Sequence, residues 1–210
     1  MCHILSDKPF ERLNWDNENF NYKNMYRIRI IGDGSCFFHA LAESYCKPYR
    51  EGINGKLKIN KREFIRNLRK ELSEKLKSKI DPLDKNSPIF YDTLSRGKLR
   101  EMSKDMPIYK LENMVKELDS NLPVDNKFNE FISNVLEKDI YILDLENKDV
   151  YITGDDDDIL YKNRDSIVIG NLPGHYELIG IMKDNKIKTL FPYNHPFIEK
   201  IRLRMKEKRK

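Results

Sequence analysis

The sequence predicts an α/β or α+β domain in which helices come first and a sheet follows. Three observations support this prediction. A strand, a glycine turn and a helix stand near the start. Further segments with helical spacing of apolar residues follow, up to about residue 137, and from residue 139 the apolar residues recur at every second position. Helices followed by strands in this way form layered domains. A chain of 210 residues fits one domain with modest appendages.

The first unit begins with a strand predicted over 26–31, which runs into the turn formed by Gly32-Asp33-Gly34. From Ser35 the apolar residues fall at helical spacing, so a helix follows the turn. A stronger helix is predicted over 61–79, where five apolar side chains share one stripe. Pro82 lies just beyond this helix and ends it.

The rest of the chain changes from irregular structure to a sheet. Residues 82–127 contain four prolines and predict irregular structure with two short helices, over 91–102 and 108–119. Another helix is predicted over 126–137, because its apolar residues share one face. The period of two that follows predicts strands over 139–145, 150–153, 166–169, 175–182 and 186–191. Residues 1–25 are expected to pack on a domain that spans 26–195. Residues 196–210 are expected to form a basic helix whose apolar stripe packs on the domain, while residues 206–210 project into solvent.

The composition excludes several classes of protein. Aromatic residues make up 10% of the chain, which is too many for a disordered protein, although 35% of the residues are charged. No run approaches the ~18 apolar residues of a membrane-spanning helix. The first fifteen residues carry four charges and no apolar stretch, so we expect no secretory signal. Three cysteines do not make a disulfide framework, which favours a reducing, cytosol-like compartment.

The positive charge lies at the C-terminus. Residues 199–210 hold seven basic and two acidic side chains, which accounts for the whole net charge of +5. The remaining body is neutral, whereas a nucleic-acid-binding body would carry its own positive charge. We therefore expect no nucleic-acid binding by the core domain, and we expect the protein to be a monomer.

Cys36 is the first candidate for chemistry. A cysteine in the first turn of a helix, after a strand and a glycine turn, faces the positive end of the helix dipole, which favours the thiolate. The backbone N–H groups of the same turn could hold an oxyanion. Cys2 and Cys46 lack this setting and are interpreted as small apolar residues.

His175 is the candidate base for such a nucleophile. It begins a predicted strand directly after Pro173-Gly174, and it follows Cys36 in the order that papain-like proteases also use. Residues two apart on a strand point to the same face, so Glu177 lies beside His175. Its carboxylate could accept the Nδ1–H bond and fix the tautomer. On spacing alone, a core histidine followed by a solvent-facing glutamate remains the alternative.

Both segments also resemble one protein family. Residues 33–40, Asp-Gly-Ser-Cys-Phe-Phe-His-Ala, closely resemble the catalytic block of the ovarian tumour (OTU) family of cysteine proteases. Residues 175–179, His-Tyr-Glu-Leu-Ile, are similar to the histidine block of that family, and residues 129–142 to its helix that leads into a central strand. The resemblance covers about residues 27–182 in consistent order.

The resemblance implies a papain-like α/β (α+β) fold with a small mixed central sheet flanked by helices. It implies hydrolysis of the isopeptide bond at the C-terminus of ubiquitin or a ubiquitin-like modifier, with no cofactor or metal. Cys36 would be the nucleophile and His175 the general base, while the backbone N–H groups of Asp33 and Cys36 would form the oxyanion hole. The third catalytic residue of the family is usually Asn or Asp two residues after the histidine; Glu177 stands there, and its longer side chain should still reach.

The partners expected from the resemblance are ubiquitin or polyubiquitin chains. A compact domain of this kind would suit a virus or an intracellular parasite that acts on ubiquitin signalling in the host cytoplasm. The alternative from another class is a catalytically inactive OTU-like adaptor that binds ubiquitin. A weaker alternative is nucleic-acid binding through the basic tail, which the neutral body and the absence of a basic-aromatic patch argue against.

Three other motifs are too incomplete to support a site. Cys36 and His39 with Cys46 lack a fourth zinc ligand nearby, and the glycine turn lacks the third glycine of a dinucleotide-binding loop. The aspartates at 155–158 lack the final glutamate of a calcium loop. They are expected to form a solvated loop, which could also attract the basic tail of ubiquitin. His39 is expected on a helix face and His195 at the surface.

Overall fold

A computed structural model describes residues 9–53, 56–152 and 157–210. Cys2, the first two aspartates of the run at 155–158, and the end of the strand predicted over 150–153 lie outside the described residues. The described strands are β1 (Phe10–Arg12), β2 (Met25–Ile28), β3 (Asp139–Asp144), β4 (Asp149–Val150), β5 (Ser166–Leu172), β6 (His175–Lys183), β7 (Lys186–Lys188) and β8 (Leu190–Phe191).

These strands form one mixed sheet in the order β1-β2-β6-β5-β3-β4, with β7 paired to β6 and β8 paired to β5. Only β3 and β5 run parallel among the described pairs, in register from Asp139 opposite Ser166 to Asp144 opposite Asn171. β5 and β6 form a hairpin in which Leu172 is opposite His175. The first residue of β6 therefore lies at the end of the central hairpin, where its side chain can reach past the sheet.

The helices are α1 (Cys36–Tyr45), α2 (Lys47–Glu51), α3 (Lys61–Lys77), α4 (Leu99–Asp105), α5 (Leu111–Asp119), α6 (Asn129–Leu136), α7 (Asp157–Leu160) and α8 (Pro196–Lys208), with 3-10 turns over Phe90–Gly97, Pro107–Tyr109 and Asn126–Phe128. Helices α1 to α6 lie between β2 and β3 in the chain, and α8 follows the last strand. In the part of the chain that the structure describes, no helix is long and apolar enough to cross a membrane.

The apolar core has two parts, one on each face of the sheet. Alternate residues of β5 explain the division, because Ile167 and Ile169 belong to the part that contains α1 and α3, whereas Val168 belongs to the other part. The second part contains Trp15 and Phe20 from the N-terminal segment, both of which are buried. The predicted order, a strand–turn–helix unit, then helices, then a sheet, is thus confirmed, with helices α1 and α3 on one face of the sheet.

Several predicted boundaries were wrong. The strand predicted over 26–31 ends at Ile28, and the helix predicted over 126–137 begins as a 3-10 turn and ends at Leu136, because Glu137 takes a left-handed conformation with φ of 53°. The strand predicted over 186–191 is two short strands, one paired to β6 and one to β5. Strand β1 and helices α2 and α7 were not predicted, because segments of three to five residues carry too little periodicity.

Helix α8 packs on the second face of the sheet. Its apolar stripe, Phe197, Ile198, Ile201 and Met205, is buried, as its spacing predicts. The expectation that residues 206–210 project into solvent was wrong for Lys208. Its ammonium donates to the carbonyl of Val150 over 2.8 Å and lies 3.3 Å from the carboxylate of Asp149. The basic end of the chain is therefore partly tied to β4.

Candidate active site

Cys36 is the first residue of α1, where the sequence places it. The preceding residue, Ser35, stands at the N-cap but makes no side-chain capping bond, because its hydroxyl oxygen accepts from Arg69 over 2.7 Å instead. The N–H groups of the first turn of α1 are therefore not capped by this side chain. The Cys36 sulfur accepts from the backbone N–H of Tyr176 over 3.3 Å, so the helix start and strand β6 meet at the sulfur.

The sulfur is buried, and its surroundings act on its pKa in opposite directions. Cys36 is 3% exposed, and burial, the largest effect, raises its pKa. The N–H groups of Tyr176, Phe37 and Cys36 itself favour the thiolate and lower the pKa, but they do not outweigh burial. The net pKa lies above the ordinary value for cysteine, so the resting group is the thiol and deprotonation needs a base.

The turn before Cys36 depends on glycine for a steric reason. Gly34 has φ of +84°, which disfavours a side chain, and a Cβ atom built there would lie 2.1 Å from the carbonyl oxygen of Asn121. In the same turn, Asp33 accepts a hydrogen bond from the N–H of Ser35 over 3.0 Å. The turn is therefore stabilised by the hydrogen bond to Asp33, and the loop that contains Asn121 packs closely against it.

His175 lies beside this turn. It begins β6 after Gly174, which has φ of +71°, and 27% of its side chain is exposed. A Cβ atom built on Gly32 would lie 3.7 Å from Cε1 and 3.8 Å from Nδ1 of His175, so the ring packs against the glycine turn. Burial lowers the pKa of His175, which keeps the imidazole neutral and able to accept a proton.

Cys36 and His175 line one cleft of about 200 Å³. The cleft is formed by the start of α1, the hairpin of β5 and β6, and the segment after α5. Its walls are Gly34, Cys36, Phe37, Glu117, Pro123, Val124, Asp125, Asn171, Gly174, His175 and Tyr176. The fold thus brings together the two residues that carry the sequence hypothesis, although 139 positions separate them in the chain. Asn171 and the residues after α5 were not among the predicted site residues.

Glu177 lies beside His175 but does not hydrogen-bond to it. Its Oε1 is 4.0 Å from Nε2 of His175, and its Oε2 is 3.5 Å from the guanidinium of Arg27. The nitrogen that faces Glu177 is therefore Nε2, and the expectation of an Nδ1–H bond was wrong. A hydrogen bond needs the two groups to approach by about 1 Å. With Glu177 at Nε2, Nδ1 stays available on the side of the glycine turn.

The environment of Glu177 is buried and charged. The residue is 3% exposed, so it is not the solvent-facing glutamate of the alternative reading. Burial, the largest effect, raises its pKa, while the positive charges of Arg27 and Arg29 oppose this and Glu11 adds to it. The net pKa is raised. Arg27 also donates to Glu11 on β1 over 2.6 Å, so β1 and β2 are linked to the residue next to His175.

Arg69 is a buried residue of the site region that the sequence analysis missed. Its guanidinium donates to Ser35 Oγ and to the carbonyls of Glu117, Leu118 and Leu122, and it lies 4.8 Å from the centre of the Phe38 ring. It therefore joins the residue before Cys36 to the segment that walls the cleft. A signal was present in the sequence, because Arg69 interrupts the apolar stripe of α3, which predicts a buried cation.

The remaining candidates lie outside the cleft or have other partners. Cys46 is a free, half-buried cysteine. His39 is fully buried between Asp33 and Tyr49, and His195 caps α8 by accepting from the N–H of Phe197 over 3.2 Å. Among the described residues, no group of three or more His, Cys, Asp and Glu side chains could hold a metal ion.

Comparison with known proteins finds matches among solved structures. A scan against protein-family models and a search of curated proteins each find no match. Among solved structures, an OTU domain in complex with ubiquitin matches with a TM-score of 0.51 and 16% identity, over 87% of this chain and 83% of that chain. This match shows that the chain has the fold of an OTU domain, as its sequence resemblance predicts.

Two further structures match with lower scores. The OTU domain of OTUD1 has a TM-score of 0.42 and 17% identity, over 75% of this chain and 86% of that chain. An OTU deubiquitinase from Wolbachia pipientis wMel has a TM-score of 0.41 and 17% identity, over 77% of this chain and 91% of that chain.

Proposed function

We propose that this chain is a cysteine deubiquitinase that hydrolyses the isopeptide bond at the C-terminus of ubiquitin or a ubiquitin-like modifier. The observation that carries the proposal is the cleft that Cys36, at the amino end of α1, lines together with His175. The fold supports it, since it is the fold of an OTU domain that was solved in complex with ubiquitin. No cofactor or metal takes part in the proposed reaction.

In the first step, Nδ1 of His175 takes the thiol proton of Cys36, and the sulfur attacks the carbonyl carbon of the isopeptide bond. The raised pKa of Cys36 and the lowered pKa of His175 mean that the resting pair is thiol and neutral imidazole, so the proton moves during the attack. The oxyanion that forms accepts hydrogen bonds from the backbone N–H groups of Cys36 and Asp33.

In the second step, the tetrahedral intermediate expels the lysine amine, which takes the proton from His175 and leaves ubiquitin joined to Cys36 as a thioester. Water then attacks the thioester carbonyl while His175 takes its proton, and the collapse releases the ubiquitin carboxylate and returns the thiol. Glu177 approaches Nε2 of His175 during this cycle, and it stabilises the imidazolium that forms twice.

A ubiquitin carrying a C-terminal electrophile tests the proposal. Wild-type protein is expected to couple to the probe and to gain the mass of ubiquitin, whereas Cys36→Ala is not. Cys46→Ala is the matched control, because Cys46 is also a free cysteine but lies outside the cleft, and this variant should couple as wild type does. Coupling that persists in Cys36→Ala would contradict the assignment. A panel of di-ubiquitins would then define the linkage that is cleaved.

The adaptor function is a second candidate, and the burial of the sulfur favours it. A cysteine that is 3% exposed and has a raised pKa, beside a histidine with no hydrogen bond to Glu177, would suit a domain that binds ubiquitin without cleaving it. Such a domain would bind ubiquitin in a calorimeter but would neither couple to the probe nor release a fluorophore from ubiquitin.

A further inference from the structure

His39 is a fully buried histidine that the proposed reaction does not use. It lies on α1 one turn after Cys36 and is 1% exposed. Both of its ring nitrogens have partners: Nε2 lies 3.1 Å from the carboxylate of Asp33, and Nδ1 lies 2.5 Å from the hydroxyl of Tyr49. Tyr49, on the short helix α2, is also buried.

The protonation states fix the direction of each hydrogen bond. Burial, the largest effect, and nearby carboxylates raise the pKa of Tyr49, so its hydroxyl stays protonated and donates to Nδ1. Burial lowers the pKa of His39, so the ring is neutral and carries its proton on Nε2. Burial alone would raise the pKa of Asp33, but hydrogen bonds from Ser35 and His39 and the charge of Arg62 outweigh it, so the pKa is lowered and the carboxylate accepts.

The series of hydrogen bonds from Tyr49 through His39 to Asp33 ends at the turn that precedes Cys36. The other carboxylate oxygen of Asp33 accepts from the N–H of Ser35 over 3.0 Å, so the side chain of Asp33 is held at both oxygens. Arg62 lies 3.4 Å from the same carboxylate but is largely exposed, and solvent weakens its contribution. His39 is therefore the buried partner that sets the orientation of Asp33.

We infer that His39 and Tyr49 are positioning residues for the oxyanion site, which they act on through Asp33; this inference rests on the proposed function. His39 is not an acid or base in the reaction, because it does not line the cleft and both of its ring nitrogens are engaged by Asp33 and Tyr49. Their hydrogen bonds hold the backbone of the Asp33–Cys36 turn, so that its N–H groups stay directed at the cleft. The class of substrate is one with an acyl carbon that forms a tetrahedral oxyanion.

This role separates two reactions of the same sulfur. Acyl transfer forms an oxyanion and needs the N–H groups of the turn, whereas alkylation by iodoacetamide displaces iodide and forms none. A loosened turn should therefore slow cleavage of a ubiquitin–fluorophore substrate without slowing the alkylation of Cys36. A general disturbance of Cys36 would slow both. The alkylation is followed by mass spectrometry of the peptide that contains Cys36, so the other cysteines do not interfere.

Three variants test the hydrogen bonds of Tyr49, His39 and Asp33, and a fourth variant serves as the control. Tyr49→Phe removes the hydroxyl and leaves the ring against Phe64. His39→Leu removes both bonds of the ring, whereas His39→Gln keeps an N–H group near the place of Nε2. Tyr91→Phe is the matched control, because Tyr91 is also buried and its hydroxyl donates over 2.9 Å to the carbonyl of Tyr109, away from the cleft.

We expect His39→Leu to lower kcat roughly 10- to 100-fold, because a displacement of about 1 Å near the reacting atoms can cost that much. Tyr49→Phe should lower kcat less than His39→Leu, and His39→Gln should recover part of the loss. KM and the alkylation rate should stay as in wild type for all three. Tyr91→Phe should lower the melting temperature by about as much as Tyr49→Phe and leave kcat unchanged.

The outcomes separate this inference from the proposed function. Wild-type protein that releases no fluorophore would overturn both. Cleavage by the wild type, with unchanged kcat in Tyr49→Phe and His39→Leu, would overturn only the positioning role, as would parallel losses of kcat and alkylation rate. If His39→Leu does not fold, Tyr49→Phe and His39→Gln decide by the same comparison.

Discussion

Replacing Gly34 by alanine tests how the loop after α5 shapes the site. Gly34 has φ of +84°, and its Cβ atom would lie 2.1 Å from the carbonyl oxygen of Asn121. An ordinary contact begins near 3.4 Å, so the carbonyl or the turn must move by 1.3 Å. The clashing atom, the carbonyl oxygen of Asn121, belongs to the backbone, which cannot rotate away as a flexible side chain can. The movement therefore reaches Pro123 and Val124, which wall the cleft.

The cost has two parts. The left-handed conformation costs an alanine roughly 1–2 kcal/mol. Overpacking of a filled site costs typically about 1–3 kcal/mol more. Gly34→Ala should thus lower the free energy of unfolding by roughly 2–5 kcal/mol. Gly174→Ala is the matched control, because Gly174 also has a positive φ, +71°, but nothing lies within 4 Å of its Cβ position. The free energy of unfolding of Gly174→Ala should therefore fall only by the conformational cost of roughly 1–2 kcal/mol.

Urea unfolding followed by circular dichroism measures both losses, and a ubiquitin–fluorophore substrate measures kcat/KM. We expect Gly34→Ala to lose about 1–3 kcal/mol more than Gly174→Ala. Its kcat/KM should fall by up to ~100-fold, since the turn beside Cys36 is displaced. Equal losses of stability in the two variants would refute the reasoning, because they would show that the Asn121 carbonyl yields freely and that only the backbone conformation matters.

Three further predictions follow from the contacts around the sheet. Glu177→Ala should lower kcat roughly 10- to 10⁴-fold in the fluorophore assay with the fold retained, since it removes the group that we propose stabilises the His175 imidazolium. An unchanged kcat/KM would mean that another group orients the histidine. Asp149→Asn should lose about 1.5–3 kcal/mol in urea at pH 7, because Asp149 accepts two bonds from Arg204, over 2.8 and 2.9 Å. Burial alone would raise the pKa of Asp149, but Arg204, the Val150 N–H and Lys208 lower it overall. The stabilisation by Asp149 is therefore present above the unfolded pKa of about 4 and is lost as pH falls through the lower folded value. The control Asp92→Asn, which breaks the more exposed ion pair with Arg100, should lose under ~1 kcal/mol, and a stability difference between wild type and Asp149→Asn that does not change with pH would contradict the linkage. Deletion of 206–210 should lower the melting temperature more than deletion of 209–210, because only the first removes the bond from Lys208 to the carbonyl of Val150. Neither deletion should change kcat, and a loss of kcat in the folded 206–210 deletion would show that the tail reaches the cleft.

The position of the candidate nucleophile could be predicted because it depends on local chemistry. A strand, a turn with glycine at positive φ and a helix start are each specified by neighbouring residues, and Cys36 stands one residue after the N-cap as predicted. The longer elements could be predicted for the same reason, since α3 and the strands β3, β5 and β6 repeat their apolar residues over many positions. Helix α2 could not, because five residues do not establish a period.

The contacts of the site required the tertiary structure. The sequence places Glu177 two residues after His175 on one face of a strand, but the 4.0 Å gap, the choice of Nε2 and the competing charge of Arg27 depend on the pairing of β2 with β6. Periodicity carries no information on which ring nitrogen faces a neighbour. It also could not show that the carboxylate is buried, since a strand in this position could equally face solvent.

The sequence by itself determined the order of elements and the place of Cys36 at a helix start, because both follow from spacing along the chain. It also supplied the hypothesis that His175 acts together with Cys36. Only the tertiary structure decided which residues support the turn. Arg69 meets carbonyls 48 to 53 positions away, and Asn121 meets Gly34 from a loop of irregular structure. Such contacts are fixed by the packing of whole helices, in which burial of apolar faces brings the polar groups together, and no local pattern encodes the partner that each group finds.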